Sequence, residues 1–438
     1  MSSEGLTART VTVRQCAILV GGRATRLGAL ATATPKPLLP CGDRPFLAWL
    51  LRELCRWGVE EVMLLAGPRA AEMEASARTI LPTLPRRLAL AVATEPEGAG
   101  TAGALFHARD RLDERFLLLN GDSLLDGNLA ALLADAARDD PATTAGRLAL
   151  ATVADTTRAG VVRCEGDRIT AFDERPAAPG RPGDIHAGIA VLHRALVAEL
   201  PAAGSLERDV LPRLAAAGAL RATRVPGWFI DIGVPEDLAC ARAELPRRLH
   251  RPALFLDRDG VVNQDLGYVG SRERFRWTDG AREAIRAATD SLWHVFVVTN
   301  QSGIARGLYD EADVTALHEW LADEVRRAGG TIDDVRYCPH HPEAVRAAYR
   351  RACDCRKPAP GMLRALLAVW EVDASAAVMI GDQPTDLAAA AAAGMRGIRF
   401  DGGSLYDAVL AVVRRKYSAF AEHQDTHPQT DVRTITGL

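Results

Sequence analysis

The chain has 438 residues, more than one ordinary core accommodates and enough for two domains of about 150–250 residues each. Apolar residues make up 48% and charged residues 25%, the composition of a soluble globular protein, and a net charge of −3 offers no basic field for nucleic acid or an anionic membrane surface. No stretch approaches the roughly 20 apolar residues that span a bilayer. The polar start MSSEGLTART has no signal-peptide core, so a cytoplasmic protein is expected.

In chain order, residues 1–14 read as a loose leader. From Cys16 onward, the apolar runs CAILV, EVMLLA, LALAV, RFLLLNGD and LALATV alternate with Ala- and Leu-rich amphipathic stretches. That rhythm predicts an α/β domain over 15–245 with a mostly parallel sheet wrapped by helices. The basic, proline-bearing stretch PRRLHRP (246–252) is expected to be a linker. A second α/β series, ALFLD, HVFVVTN, AVMIGD and GIRF, defines a domain over 253–413. Residues 414–438 turn polar and aperiodic and are expected to fray.

Of 53 basic residues only three are lysine: Lys36, Lys357 and Lys416. Two of them lie in the short motifs PKP and RKP. Arginine is a wide fork and lysine a compact point charge, so a site fitted to an ammonium resists the exchange that has swept the rest of the chain.

The first expected strand runs into GGRATRLGALATATPKPLLP (21–40). Gly21 and Gly22 let backbone amides approach a phosphate, and Arg26 and Lys36 add positive charge. The combination of Gly-Gly, T-R-L and P-K-P resembles the sugar-1-phosphate nucleotidyltransferase family. The likeness continues through EPEGAGTAGAL (95–105), LLLNGDSLL (117–125), HAGIAVL (186–192), SLERDVLPRL (205–214) and WFIDIGVPEDL (228–238). It implies that a sugar phosphate attacks the α-phosphorus of a nucleoside triphosphate. Asp122 and Asp231 would hold Mg²⁺, Arg26 and Lys36 would steady the phosphates, and Glu174 in FDERP would contact the substrate. Two positions depart from the family pattern: Ala24 stands where a glycine is usual, and Arg175 where a lysine is usual.

FLDRDGVVN (255–263) is the sharpest motif of the second half, joined by TNQSG (299–303), RKP (356–358) and GDQPTD (381–386). The set resembles the haloacid dehalogenase superfamily. By that resemblance Asp257 is the phosphoryl-accepting nucleophile and Asp259 the general acid and base. Thr299 and Lys357 would hold phosphoryl oxygens, and Asp257, Asp259 and Asp382 would bind Mg²⁺. Asp265, Tyr268, Asn300, Gln301, Ser302, Arg356 and Gln383 would face the substrate. Gln383 stands where a lysine is frequent.

Cys338, His340, Cys353 and Cys355 offer three thiolates and an imidazole, the donor set of a tetrahedral structural Zn²⁺; His341 competes with His340 for the fourth place. A zinc loop of this kind resembles the branch containing heptose 1,7-bisphosphate and histidinol-phosphate phosphatases. Together the resemblances imply two Rossmann-like three-layer domains in tandem, of nucleotidyltransferase A-type and haloacid dehalogenase-like fold. They also imply consecutive steps on a heptose phosphate, with GTP as donor and GDP-D-glycero-α-D-manno-heptose as product. A domain that only senses a sugar nucleotide, a scaffold role, another base and a homo-oligomer all stay open from sequence.

Overall fold

In the computed structural model, residues 13–22, 27–28, 33–157, 160–173 and 181–424 are described, with side chains as far as Arg414. Arg26, Glu174, Ala24 and Arg175, and most of the expected leader and tail, lie outside the described residues.

The first apolar runs are buried along their length, as strands covered on both faces must be. Gln15–Leu19 sits between Glu61–Ala66 and Arg115–Asn120, and Ala89–Thr94 continues the parallel set beyond Glu61–Ala66. Gly183–His193 then pairs antiparallel with Arg115–Asn120 and carries the sheet on to Gly146–Val153, Leu220–Arg224, Arg168–Asp173 and Val161–Glu165. The nine-stranded sheet is therefore mixed. A separate ribbon pairs Ser123–Gly127 with Gly227–Asp231 and brings Asp231 opposite Ser123.

The second sheet is wholly parallel, in the order Asp334–Cys338, His294–Asn300, Ala253–Leu256, Ala377–Gly381, Arg396–Arg399. Its central strand, ALFL, is completely buried. In both sheets the motif residues follow the carboxyl ends of parallel strands, where ligand clefts of open α/β sheets form.

The expected linker is instead a packed joint. Helix Pro235–Leu249 runs through Pro246, and only His250–Pro252 separate it from strand Ala253–Leu256. Arg251 within that joint is 4% exposed; it donates to Asp126 Oδ1 at 2.6 Å and to Glu53 Oε2 at 2.7 Å. Composition marked the stretch as a breaker, but Arg251 ties the joint to the first domain, while Arg247 and Arg248 pair with Glu244 on their own helix. The carboxyl terminus differs as well: a helix spans Leu405–Gln424, past the expected end of order. No glycine or proline interrupts it, and polar residues such as Arg, Glu and Gln favour a helix despite losing apolar periodicity.

The domains share one buried apolar cluster, from Trp49, Leu54 and Trp57 to Phe255, Phe296 and Trp370. Polar pairs are buried within that contact. Arg56, fully buried, donates to Asp333 Oδ1 at 3.2 Å and to the carbonyl of Trp293 at 2.9 Å. Asp333 Oδ2 lies 3.0 Å from His294 Nδ1. Burial, with Arg56 and Arg251 nearby, lowers the His294 pKa from 6.5 to about 4 against the opposing pull of Asp333.

The folded chain thus keeps His294 neutral while the unfolded chain protonates it below its ordinary pKa. Stability should fall as pH drops from 6.5 toward 4, by up to about 3 kcal/mol from this group. Urea unfolding midpoints measured across that range should decline in the native chain and decline less in His294→Asn; parallel slopes in the two would contradict this.

Candidate active sites

The first site is a cleft of about 540 Å³ over the ends of the parallel strands, lined by Gly21, Gly22, Lys36, Gly67, Glu95 and Thr101 among others. Gly21 is required by space: a Cβ there would come within 2.2 Å of Glu95 Oε1 and 2.9 Å of the Gly67 nitrogen. Glu95 Oε2 is buried without a hydrogen-bond partner, and burial raises the carboxyl's pKa to about 7. Thr101 Oγ1 donates to Glu207 Oε2 and accepts from the Leu206 amide, both at 2.7 Å, joining the G-T-A-G helix to the L-E-R-D segment.

Lys36 Nζ lies 2.5 Å from Asp122 Oδ2 and 3.7 Å from Asp231 Oδ1. Ser123 Oγ sits 3.2 Å from a carboxylate oxygen of each aspartate. Burial and the neighbouring Asp122 raise the Asp231 pKa, although Lys36 opposes them. Two carboxylates drawn this close are suited to a divalent cation, and the ammonium is the cation they now share.

The second site is a cleft of about 380 Å³. Asp257 follows the central strand, its amide held by the Ile380 carbonyl at 3.0 Å. Lys357, 3% exposed, reaches Asp257 Oδ1 at 2.8 Å and Asp386 Oδ1 at 2.6 Å, and donates to the Val298 carbonyl at 2.9 Å. Asn300 holds the lysine's backbone from both sides: Nδ2 donates to its carbonyl and Oδ1 accepts from its amide, each at 3.1 Å. Burial raises the Asp257 pKa to about 7, with Lys357 opposing and Asp386 and Asp259 adding to the rise. Asp382 Oδ1 is buried and unpartnered, while Oδ2 accepts from Gln383 Nε2 at 2.7 Å.

Carboxylate oxygens of Asp257, Asp382 and Asp386 lie within 4.8 Å of one another, close enough to share a cation. Asp259, expected in that group, is not part of it. Its carboxylate is turned to Arg258, Asn263 and Gln301. Asp386 takes the third place, and its motif GDQPTD was legible although its role was not.

Cys338, Cys353 and Cys355 place their sulfurs 3.2–3.6 Å apart, and His340 Nδ1 lies 3.4 Å from Cys355 and 3.6 Å from Cys338. His341 Nδ1 instead accepts from the Glu343 amide. The choice between the imidazoles therefore falls to His340. Arg356 Nη1 donates to the His340 carbonyl at 3.2 Å, so the cluster braces the segment that carries Lys357.

The nucleotidyl transferase family profile matches residues 16–248, more than half of the chain. The chain belongs to the nucleotidyl transferase family. A HAD-hydrolase-like profile matches residues 354–419, so this nucleotidyl transferase also carries a HAD-like hydrolase domain. Its second half is similar to the D-glycero-beta-D-manno-heptose-1,7-bisphosphate 7-phosphatase of Rhodopseudomonas palustris, 52% identical over 160 residues, 36% of this chain and 87% of that one. Among solved structures, HddC from Yersinia pseudotuberculosis aligns with a TM-score of 0.46 at 25% identity, covering 52% of this chain and 98% of that one. The D,D-heptose 1,7-bisphosphate phosphatase from B. bronchiseptica, complexed with magnesium and phosphate, aligns with a TM-score of 0.33 at 34% identity, covering 38% and 99%.

In this nucleotidyl transferase the remaining expected residues fall at different depths. Thr299 and Gln301 are buried, Asn300 and Ser302 half-buried, and Asp265, Tyr268 and Gln383 exposed around the second cleft. Glu95 was visible only as part of a longer motif, since nothing in sequence distinguishes a buried unpartnered carboxylate. Tyr309, which also lines the second cleft, follows the T-N-Q-S-G motif too loosely to be read as part of it.

The two site lysines differ in room. Lys357→Arg forces a larger fork into a side-chain site 2% exposed and should cost about 1–3 kcal/mol of stability. Lys36, 12% exposed and opening on a cleft, should tolerate arginine at under about 1 kcal/mol. Unfolding curves of the two variants test this; equal losses would contradict it.

Proposed function

We propose that the chain is a bifunctional enzyme that removes the 7-phosphate of D-glycero-D-manno-heptose 1,7-bisphosphate and transfers a guanylyl group from GTP to the resulting heptose 1-phosphate. The observation that carries this reading is the conjunction on one chain: one half is 52% identical to a heptose bisphosphate phosphatase, and the other is a nucleotidyl transferase domain. The first reaction leaves the sugar 1-phosphate that the second consumes.

In the phosphatase half, Asp257 attacks the phosphorus, and the bond from phosphorus to the C7 oxygen breaks. Asp259 gives its proton to the leaving alkoxide. Water then cleaves the aspartyl phosphate as Asp259 takes the proton back. Lys357 and Thr299 stabilise the transferring phosphoryl oxygens. Asp257, Asp382 and Asp386 would hold Mg²⁺, which supplies charge neutralisation at those oxygens.

In the transferase half, an oxygen of heptose 1-phosphate attacks the α-phosphorus of the triphosphate and pyrophosphate leaves. Lys36 neutralises phosphate charge, and Asp122 and Asp231 would hold Mg²⁺. Glu95 Oε2, buried and unpartnered in this cleft, offers a polar contact to a bound nucleotide, and the choice of GTP rests on the family resemblance. The three thiols and His340 fit a structural Zn²⁺ with no position left open for chemistry.

Asp257→Asn should abolish phosphate release from heptose 1,7-bisphosphate and leave nucleotidyl transfer intact. Both activities are measured on that variant, and transfer is read by mass spectrometry with five nucleoside triphosphates and both anomers of heptose 1-phosphate. The relative's name specifies the β-bisphosphate, so the anomer is read rather than assumed. Loss of both activities in a folded variant would sink the two-site reading; transfer from a base other than guanine would overturn the choice of GTP.

Purified chain should contain about one zinc, and Cys353→Ser should lose the metal together with phosphatase activity, because a structural site contributes folding energy directly. Full phosphatase activity in zinc-stripped chain supplied only with Mg²⁺ would overturn it.

A further inference from the structure

Gln301 follows Thr299 by two residues and is 1% exposed. Its amide lies between the two groups on which the phosphatase chemistry turns. Nε2 donates to Asp259 Oδ2 and to Thr299 Oγ1, both at 2.8 Å. Oε1 accepts from the Tyr309 hydroxyl at 2.7 Å. All three contacts lie within the protein, so this amide is committed before any substrate arrives.

The orientation of an amide is set by its neighbours. With the tyrosine proton on Oε1, the NH₂ group must face Asp259. Turned over, the amide would present an oxygen to a carboxylate oxygen, and the tyrosine hydroxyl would have to change from donor to acceptor. The tyrosine has a built seat: a Cβ on Gly270 or on Gly303 would come within 2.2 Å of Tyr309 ring atoms. Burial raises its pKa to about 12, so the hydroxyl remains a donor across the working range.

From the opposite side, Arg258, fully buried, approaches Asp259 through Nη2, 2.9 Å from Oδ2 and 3.1 Å from Oδ1. Asn263 Nδ2 donates to Oδ1 at 2.9 Å. Arg258 is itself braced by the Val269 carbonyl and by His318 Nε2, 3.1 Å from its Nη1. The Asp259 carboxylate is gripped from two sides, yet its side chain stays 21% exposed toward the cleft.

We propose that Tyr309 and Gln301 are positioning residues of the phosphatase site: through one oriented amide they aim the Asp259 carboxylate at the leaving oxygen. The same amide fixes the Thr299 hydroxyl as an acceptor on its protein side. The hydroxyl proton is thereby free for the phosphoryl group. This inference rests on the phosphatase reading, and it moves Gln301 from the substrate-facing role expected from sequence to one that acts through Asp259.

The test uses the full-length, metal-loaded chain with two variants, Tyr309→Phe, which keeps the ring in its seat and removes only the hydroxyl, and Gln301→Met, which keeps length and removes the amide. Heptose 1,7-bisphosphate has an alkoxide leaving group that needs a proton; p-nitrophenyl phosphate has one that leaves without it. With the heptose substrate, kcat should fall about tenfold or more while KM stays within about twofold. The first-turnover burst of p-nitrophenolate should keep its rate within about twofold in Tyr309→Phe, whereas Gln301→Met, which also releases Thr299, should lose part of it but less than it loses on the heptose substrate.

An equal fall on both substrates would mean the hydroxyl serves only the fold, and a change confined to KM would mean the pair touches substrate. Either result, or no change at all, overturns the proposal. If the native chain does not accept the aryl ester, the split between kcat and KM decides. If Gln301→Met does not fold, Tyr309→Phe decides alone. Failure of the native chain to turn over the heptose substrate would remove the phosphatase reading itself, an outcome distinct from failure of either variant.

Discussion

Both sites are built on one electrostatic arrangement, a single ammonium between two carboxylates in a cleft beyond the carboxyl ends of parallel strands. Lys36 bridges Asp122 and Asp231; Lys357 bridges Asp257 and Asp386. An isolated buried ammonium would be far too costly to keep charged, and two carboxylates packed together would repel. Each group makes the other tolerable. The arrangement also sets positive and negative charge side by side, which under the proposed function would serve a phosphate and a divalent cation. A compact point charge does this where a broad guanidinium would not, which explains why lysine persists at both positions in a chain otherwise given over to arginine.

The phosphatase lysine is secured from three directions. Asn300 clasps its backbone, the Val298 carbonyl accepts from its ammonium, and the cysteine–histidine cluster braces Arg356 beside it. The two basic residues of the motif R-K-P thus make separate contacts: Arg356 anchors to the His340 carbonyl, and Lys357 reaches Asp257.

The domains are likewise fixed to each other by charge held within apolar packing. Arg56 and Arg251 are buried between Glu53, Asp126 and Asp333. Pairs of this kind add little net stability over apolar packing, but removing one partner costs about 3–5 kcal/mol. They therefore favour one docking geometry over alternatives that would strand a charge. The shared apolar cluster holds the domains together, and the ion pairs make that association particular.

The sequence by itself determined the strand-forming runs, the motifs at their carboxyl ends and the donor set of the thiol cluster, because each rests on local spacing: a buried strand needs contiguous apolar residues, and a chelating loop needs ligands a few residues apart. Only the tertiary structure decided that His340 faces the thiols, that Asp386 shares Lys357, and that Asp259 is turned to Arg258 and Gln301. It also converted the expected linker into a buried joint. These outcomes depend on which side chains meet across elements distant in the chain. Arg251 reads as a linker charge until Glu53 and Asp126 are brought to it, 198 and 125 residues away. Local pattern fixes which groups are offered; three-dimensional packing decides which of them find partners.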